Sequence, residues 1–391
     1  MYRINTRVAI LVVAFCLAGA ATGRAVPHAD SDAVSFWKLP AGAIQPQAVV
    51  DARGVAHVIY FVQGGVDGVG DLYYVRRAPG ERETSKPIRV NSVRDSAGSI
   101  GTVRTAQIAV GRPGHVFVVW NGLGPKAPNG FPVAYEAYAR LNSAGTAFEP
   151  QRDLITWAKG LDGGGSVAAD REGRVYVAWH ALAGAKDEAG RAVYVSRSDD
   201  DGETFAREVR AISDPTGACG CCGMKAMVDS RGALYLLYRT ATNRTERDTA
   251  LLVSTDQGRT FRLRRIDPWH IDTCPMSTYS MAPGPAGVTA SWETAGHVRT
   301  ASVRPDSLAV SAFRETPGAG QKHPFVAVAP DGRTLIVWTE GTGWQRGGAL
   351  AWQIVSTDGK IETGGRKDGA IPVWGLATAY AGPDSRFTIL Y

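Results

Sequence analysis

An all-β protein built as a ring of short-stranded repeats is what this sequence predicts, on three observations. Gly (46) and Pro (21) are spread along the 391 residues with no long amphipathic helix pattern between them, which favours short strands joined by turns. One pattern recurs seven times: a small or apolar strand, a Gly-containing turn, then an apolar strand ending in an aromatic. Between these segments lie second hairpins, two of which share one turn sequence. A unit repeated at this period is the signature of a β-propeller, each repeat forming one blade.

In chain order, Arg3 and Arg7 precede an apolar run over residues 8–18, with small residues at Ala18, Ala20, Ala21 and Ala25. This reads as an export signal over residues 1–25, cleaved and too short to span a membrane. A secreted or periplasmic protein is expected, with residues 26–391 forming a single propeller domain and no membrane span. Cys16 is lost with the signal, which leaves Cys219, Cys221, Cys222 and Cys274 in an oxidising compartment where disulfides form. The net charge of +6 comes with no Lys or Arg tract, so it reads as a solvated surface and no nucleic-acid partner is expected.

The recurring segments cover residues 48–60, 107–120, 166–179, 225–238, 280–292, 325–338 and 377–391. Period-2 alternation, as in Val175-Tyr-Val-Ala-Trp179, suits strands packed between neighbouring sheets. Seven blades are expected, with the segment from Val34 to Leu39 completing the last one; six is the alternative if one inner hairpin is an accessory. The shared turns are Ser198-Asp-Asp200-Asp-Gly202-Glu-Thr204-Phe205 and Ser254-Thr-Asp256-Gln-Gly258-Arg-Thr260-Phe261. In each, the Asp carboxylate can accept turn N–H groups, the Gly permits positive φ, and the aromatic packs beneath.

These turns resemble the Asp-boxes of the sialidase-like, or bacterial neuraminidase repeat (BNR), β-propellers. A narrower resemblance, over residues 219–276, is to exported propellers with a Cys-x-Cys-Cys and a later Cys-Pro. The resemblance implies a propeller with structural Asp-boxes and a glycan recognised or processed at the channel face. If an enzyme, the chain would be a glycoside hydrolase or another glycan-active enzyme. A sialidase uses an arginine triad on the substrate carboxylate, a Tyr–Glu pair and a separate acid. The triad is not evident, because Ile44-Gln45-Pro46 stands where the family carries Arg-Ile-Pro.

In a propeller, the loop into each innermost strand and the loop out of the second strand share one face, opposite the Asp-box turns. That places Arg104, Asn121, His180, Arg239, Glu293 and His323 together as ligand-binding candidates for a glycan or other small ligand. Glu293, Glu340, Tyr279 and His180 are the catalytic candidates. Structural readings stand beside these: Asn121 and His180 as strand caps after buried tryptophans, Arg239 paired with Glu293, and His323 ending a loop before Pro324.

The four cysteines are expected as disulfides, with Cys221 or Cys222 bridged to Cys274 across neighbouring blades. No cofactor is favoured. Copper is the alternative, on Cys221, Cys222, Cys274, Met276 and His270, since Cu(I) favours thiolate, thioether and imidazole. A redox-active pair with a depressed thiol pKa, favoured by Lys225, is another. A purely structural propeller with a protein partner completes the range.

Overall fold

The computed structural model describes residues 33–126, 130, 132–284 and 287–391; the export signal expected over residues 1–25 lies outside them. Every regular element described is a β-strand. Among the described residues no helix is long and apolar enough to cross a membrane.

The strands form seven consecutive meanders. Four are separate four-stranded sheets, two are joined into a nine-stranded sheet through the short strand Ala97–Gly98, and one is three-stranded. The fourth repeat shows the plan: Lys225–Val228, Leu234–Arg239, Thr249–Ser254 and Arg262–Asp267 pair antiparallel in sequence order. The last repeat has only Thr378–Ala381 and Phe387–Leu390 from the C-terminus. Its third strand is Val34–Trp37, which pairs parallel with Phe387–Leu390. The segment expected to close the ring from the N-terminus does so, and the innermost strands of neighbouring repeats pack in a circle.

Alternation along each second strand explains the packing. In Val175–Ala181, Val175, Val177 and Trp179 join Phe117, Val119 and Tyr138 of the preceding repeat. Tyr176 and Ala178 point the other way, against Leu234, Leu236 and Tyr238 of the next. Both faces of one strand are therefore core, which is why Trp120, Trp179 and Trp292 are fully buried.

The two shared turns are built alike. Ser198 Oγ and Ser254 Oγ donate to Asp200 and Asp256 and accept the N–H of Gly202 and Gly258. Asp200 and Asp256 in turn accept from the N–H and hydroxyl of Thr204 and Thr260. Gly258 stands at φ +78°, a conformation side chains resist. Strand register fixes the orientation. Leu234 pairs with Ser254 beside this turn, whereas the Cys219 N–H bonds the Arg239 carbonyl at the other end of the same strand. A six-residue strand therefore separates the Asp256 turn from the cysteines, roughly 17 Å at about 3.3 Å per residue.

Candidate functional site

At the cysteine end, hydrogen bonds stitch the loops of successive repeats into one continuous surface. Arg104 donates to the Ile100 carbonyl at 2.8 Å, the Asp162 carbonyl at 3.0 Å, and the Asp162 carboxylate. Asn121 also donates to the Asp162 carbonyl, at 3.0 Å. Gly163 N–H bonds the Gly220 carbonyl, and Gly223 N–H bonds that of Ser277. His180 Nε2 meets the Cys222 carbonyl at 2.9 Å, so this nitrogen carries the proton and Nδ1 is left as an unpartnered lone pair. His323 spans the ring, with Nε2 on Thr102 at 2.9 Å and Nδ1 on Thr278 at 3.3 Å.

Four of the six ligand-binding candidates, Arg104, Asn121, His180 and His323, therefore join this network through their side chains; Glu293 joins it at Ser277 and Arg239 through Glu293. Most of them nevertheless serve the protein itself. Arg239 is 1 % exposed. It donates to the Arg247 carbonyl at 2.6 Å and to the Glu293 carbonyl, and lies over Trp269 with its carbon 4.7 Å from the ring centroid. The structural pairing with Glu293 is what the geometry shows, through the backbone carbonyl. Glu293 is equally buried, accepting Ser277 Oγ at 2.5 Å and Gly296 N–H at 2.8 Å. Glu340 bonds Trp338 Nε1 and Arg366, apart from the rest.

The electrostatics point the same way. Burial pulls His180 down to about 4, assisted by the nearby Arg191 guanidinium, and pulls His323 down to about 3, assisted by Lys322. Both are neutral near pH 7. Burial pushes the Tyr279 hydroxyl well above its ordinary value, against the pull of Arg239, which is the wrong direction for a nucleophile. The channel between Gln47, Gln107, Gly165, Thr278 and His323 is nearly filled. Its cavity is about 20 Å³, room for about one water.

Sequence reading missed two features here. Glu136 is completely buried with neither carboxyl oxygen bonded, packed where a Cβ on Gly165 would sit. Burial, then Asp153, pushes its carboxyl well above the usual range. Nothing in the sequence 132–140 marks Glu136 as buried, because its neighbours on both sides are also strand residues. The second feature is Trp344, 59 % exposed, on a tight turn closed by reciprocal Gly343–Arg346 backbone bonds. Its ring meets Trp374 edge-on at 4.7 Å. Both indoles border Gly101, next to Ile100, whose carbonyl holds Arg104. Gln45 donates to the carbonyls of Ser99, Gly101 and Trp374 and so braces this platform. A loop Trp directly after Gly343 was the available signal.

Cys221 and Cys274 form a disulfide, one of the two pairings expected, while Cys219 and Cys222 are free and buried. The copper ligand set is not assembled in this state. Cys221 and Cys274 are spent on the bridge, and exposed His270 is bonded to Glu246 at 2.8 Å. The sulfurs that cluster are those of Cys219, Cys221 and Cys222. Lys225, expected to favour a thiolate, donates instead to Gln107 at 2.8 Å; the cations acting on Cys222 are Arg239 and Arg247.

No family model matches the chain. No curated protein matches it either. Among solved structures, it is similar to a protein of unknown function from Dyadobacter fermentans, at 13 % identity and TM-score 0.53 over 83 % of this chain and 94 % of that one. It is similar to the α-L-arabinofuranosidase Arb93A of Fusarium graminearum, at 10 % identity and TM-score 0.55 over 81 % and 94 %. It is also similar to an α-L-arabinanase of Penicillium chrysogenum complexed with arabinobiose, at 10 % identity and TM-score 0.51 over 84 % and 93 %. At these identities the likeness establishes the β-propeller fold.

Proposed function

We propose that this protein recognises a glycan on the cysteine-end face, at the platform of Trp344 and Trp374 beside Arg104 and Asp162. The exposed Trp344 ring carries the reading: a large indole left 59 % in water, held rigid by Trp374 and the Gln45-braced loops, offers a flat apolar surface to a sugar ring. Arg104 and Asp162, 28 % and 39 % exposed at their side chains, supply a donor and an acceptor at its edge. The propeller fold shared with enzymes that act on arabinose-containing glycans supports a saccharide over a peptide.

Recognition is favoured over hydrolysis. Glycoside hydrolysis needs two carboxyl groups facing one sugar, and Glu293 and Glu340 are both engaged by protein donors. The filled channel admits no ring.

The test is calorimetric titration with arabinobiose and with sialylated and neutral oligosaccharides, together with an assay for released reducing sugar. Trp344→Ala should weaken binding at least about tenfold, or about 1.4 kcal/mol, with an unchanged melting temperature. Binding unaffected by Trp344→Ala, or no binding to any saccharide, would overturn the proposal and leave a protein-binding propeller. Release of reducing sugar would replace recognition by turnover.

A further inference from the structure

The cysteine end carries sulfur chemistry independent of any glycan. Three of the four cysteines among the described residues fall in the tight turn before Lys225–Val228. This turn is held by Cys219 N–H on Arg239, Cys222 N–H on Cys219 and Gly223 N–H on Ser277. Gly220 N–H on the Glu188 carboxylate, at 2.6 Å, completes the restraint. Within it the Cys219 S–H donates to Cys222 Sγ at 2.8 Å. Cys219 Sγ also lies 3.4 Å from Cys221 Sγ, one half of the Cys221–Cys274 bridge. The bridge reaches the surface: Cys274 is exposed and Cys221 half-buried, whereas Cys219 and Cys222 are each 1 % exposed.

The surroundings separate the two buried thiols. Burial disfavours a thiolate at Cys222. The Cys219 S–H, the Arg239 guanidinium, the Ser277 N–H and Arg247 outweigh it and hold the Cys222 thiol below its ordinary value. Burial and the neighbouring Cys222 sulfur push Cys219 up. Proton sharing across a Cys-x-x-Cys pair beside cations is the setting of reactive thiols.

We propose that the buried Cys219/Cys222 dithiol and the exposed Cys221–Cys274 disulfide form a two-stage thiol–disulfide relay. In the first stage the Cys219 S–H passes its proton to the Cys222 thiolate, and the Cys219 thiolate so formed attacks Cys221 Sγ. The Cys219–Cys221 bond forms, the Cys221–Cys274 bond breaks, and Cys274 leaves as a thiolate that takes up a proton. In the second, Cys222 gives up its proton and attacks Cys219 Sγ. The Cys219–Cys222 bond forms, and Cys221 leaves and is protonated. Two electrons thus pass from the buried pair to the exposed pair; the buried pair gives up its one proton, the exposed pair takes up two, and solvent supplies the difference. The exposed pair can then reduce an external disulfide, closing Cys221–Cys274 again and releasing two thiols. The external partner is a small or peptide disulfide able to reach Cys274.

Disulfide mapping of the folded chain tests this. The chain is brought to one bridge per molecule, with one equivalent of dithiothreitol if it is isolated with two. It is then quenched in acid, alkylated and digested. Wild type should carry its single bridge partly as Cys221–Cys274 and partly as Cys219–Cys222. Glutathione disulfide should drive both pairs to full oxidation. In Cys222→Ser the second stage is blocked, so a Cys219–Cys221 bridge with an alkylated Cys274 should accumulate. In Cys219→Ser only Cys221–Cys274 should remain. A single-bridge wild type that keeps Cys221–Cys274 alone, with Cys219 and Cys222 alkylated in every molecule, would overturn the relay. The wild-type map needs no variant to fold, and saccharide titration is unaffected by either outcome.

Discussion

His180 offers the sharpest check on whether the buried candidates are catalytic or structural. Its Nε2–H donates to the Cys222 carbonyl, its Nδ1 has no partner, and it is 1 % exposed beside Arg191. Protonation would add a donor with no acceptor next to a cation, so the folded state holds the ring at about 4 against 6.5 when unfolded. Between these values the unfolded chain binds the proton and the folded one does not. Stability therefore falls as pH drops from about 6.5 to about 4, by up to about 1.4 kcal/mol per pH unit. At about pH 4 the accumulated loss is about 3 kcal/mol for this residue. Substitution by Gln keeps an N–H for the Cys222 carbonyl and removes the titration. Urea unfolding of wild type and His180→Gln, disulfides intact, at about pH 7.5 and about pH 4 should show the variant losing about 3 kcal/mol less on acidification. Equal losses in the two proteins would refute the structural account, and a bell-shaped activity profile with a limb near neutral pH would point back to catalysis.

Glu136→Gln should show the opposite sign. The folded carboxyl stays protonated where the unfolded one ionises above about 4.5, so wild type should lose stability relative to the variant as pH rises toward neutral, read by the same unfolding series. Removing the bridge in a Cys221→Ser/Cys274→Ser double variant frees a loop of 53 residues. It should cost about 4 kcal/mol by chain entropy, measured by non-reducing urea titration. Asp256→Ala deletes the acceptor of four turn donors, Ser254 Oγ, Arg259 N–H, Thr260 N–H and Thr260 Oγ1. It should lower stability by about 1–2 kcal/mol without affecting saccharide binding, as read by melting and titration together.

How far the sequence reached can be traced through these residues. Period-2 alternation, the recurring aromatic strand ends and the Ser-x-Asp-x-Gly-x-Thr turns are local features. Each is caused by chemistry within a few residues, so the all-β repeats and the hydrogen bonding of Asp200 and Asp256 were legible; the closing strand was legible because the last repeat ends without its outer hairpin. A bridge from Cys221 or Cys222 to Cys274 was legible too, because repeat position places both loops at neighbouring blade ends. What each functional side chain faces was not. Arg239 was open in sequence between a ligand-binding cation and a structural partner of Glu293, and the contact that decides it is the Glu293 backbone carbonyl of the next repeat. Lys225 opens the core strand just after three cysteines, but its ammonium crosses to Gln107, 118 residues away in sequence. Trp344 and Trp374 are 30 positions apart, and only tertiary packing sets them edge to face beside Gly101. Local pattern determines strands and turns because backbone geometry is local. Burial, partner and charge state belong to contacts between distant blades, so only the tertiary structure decided them.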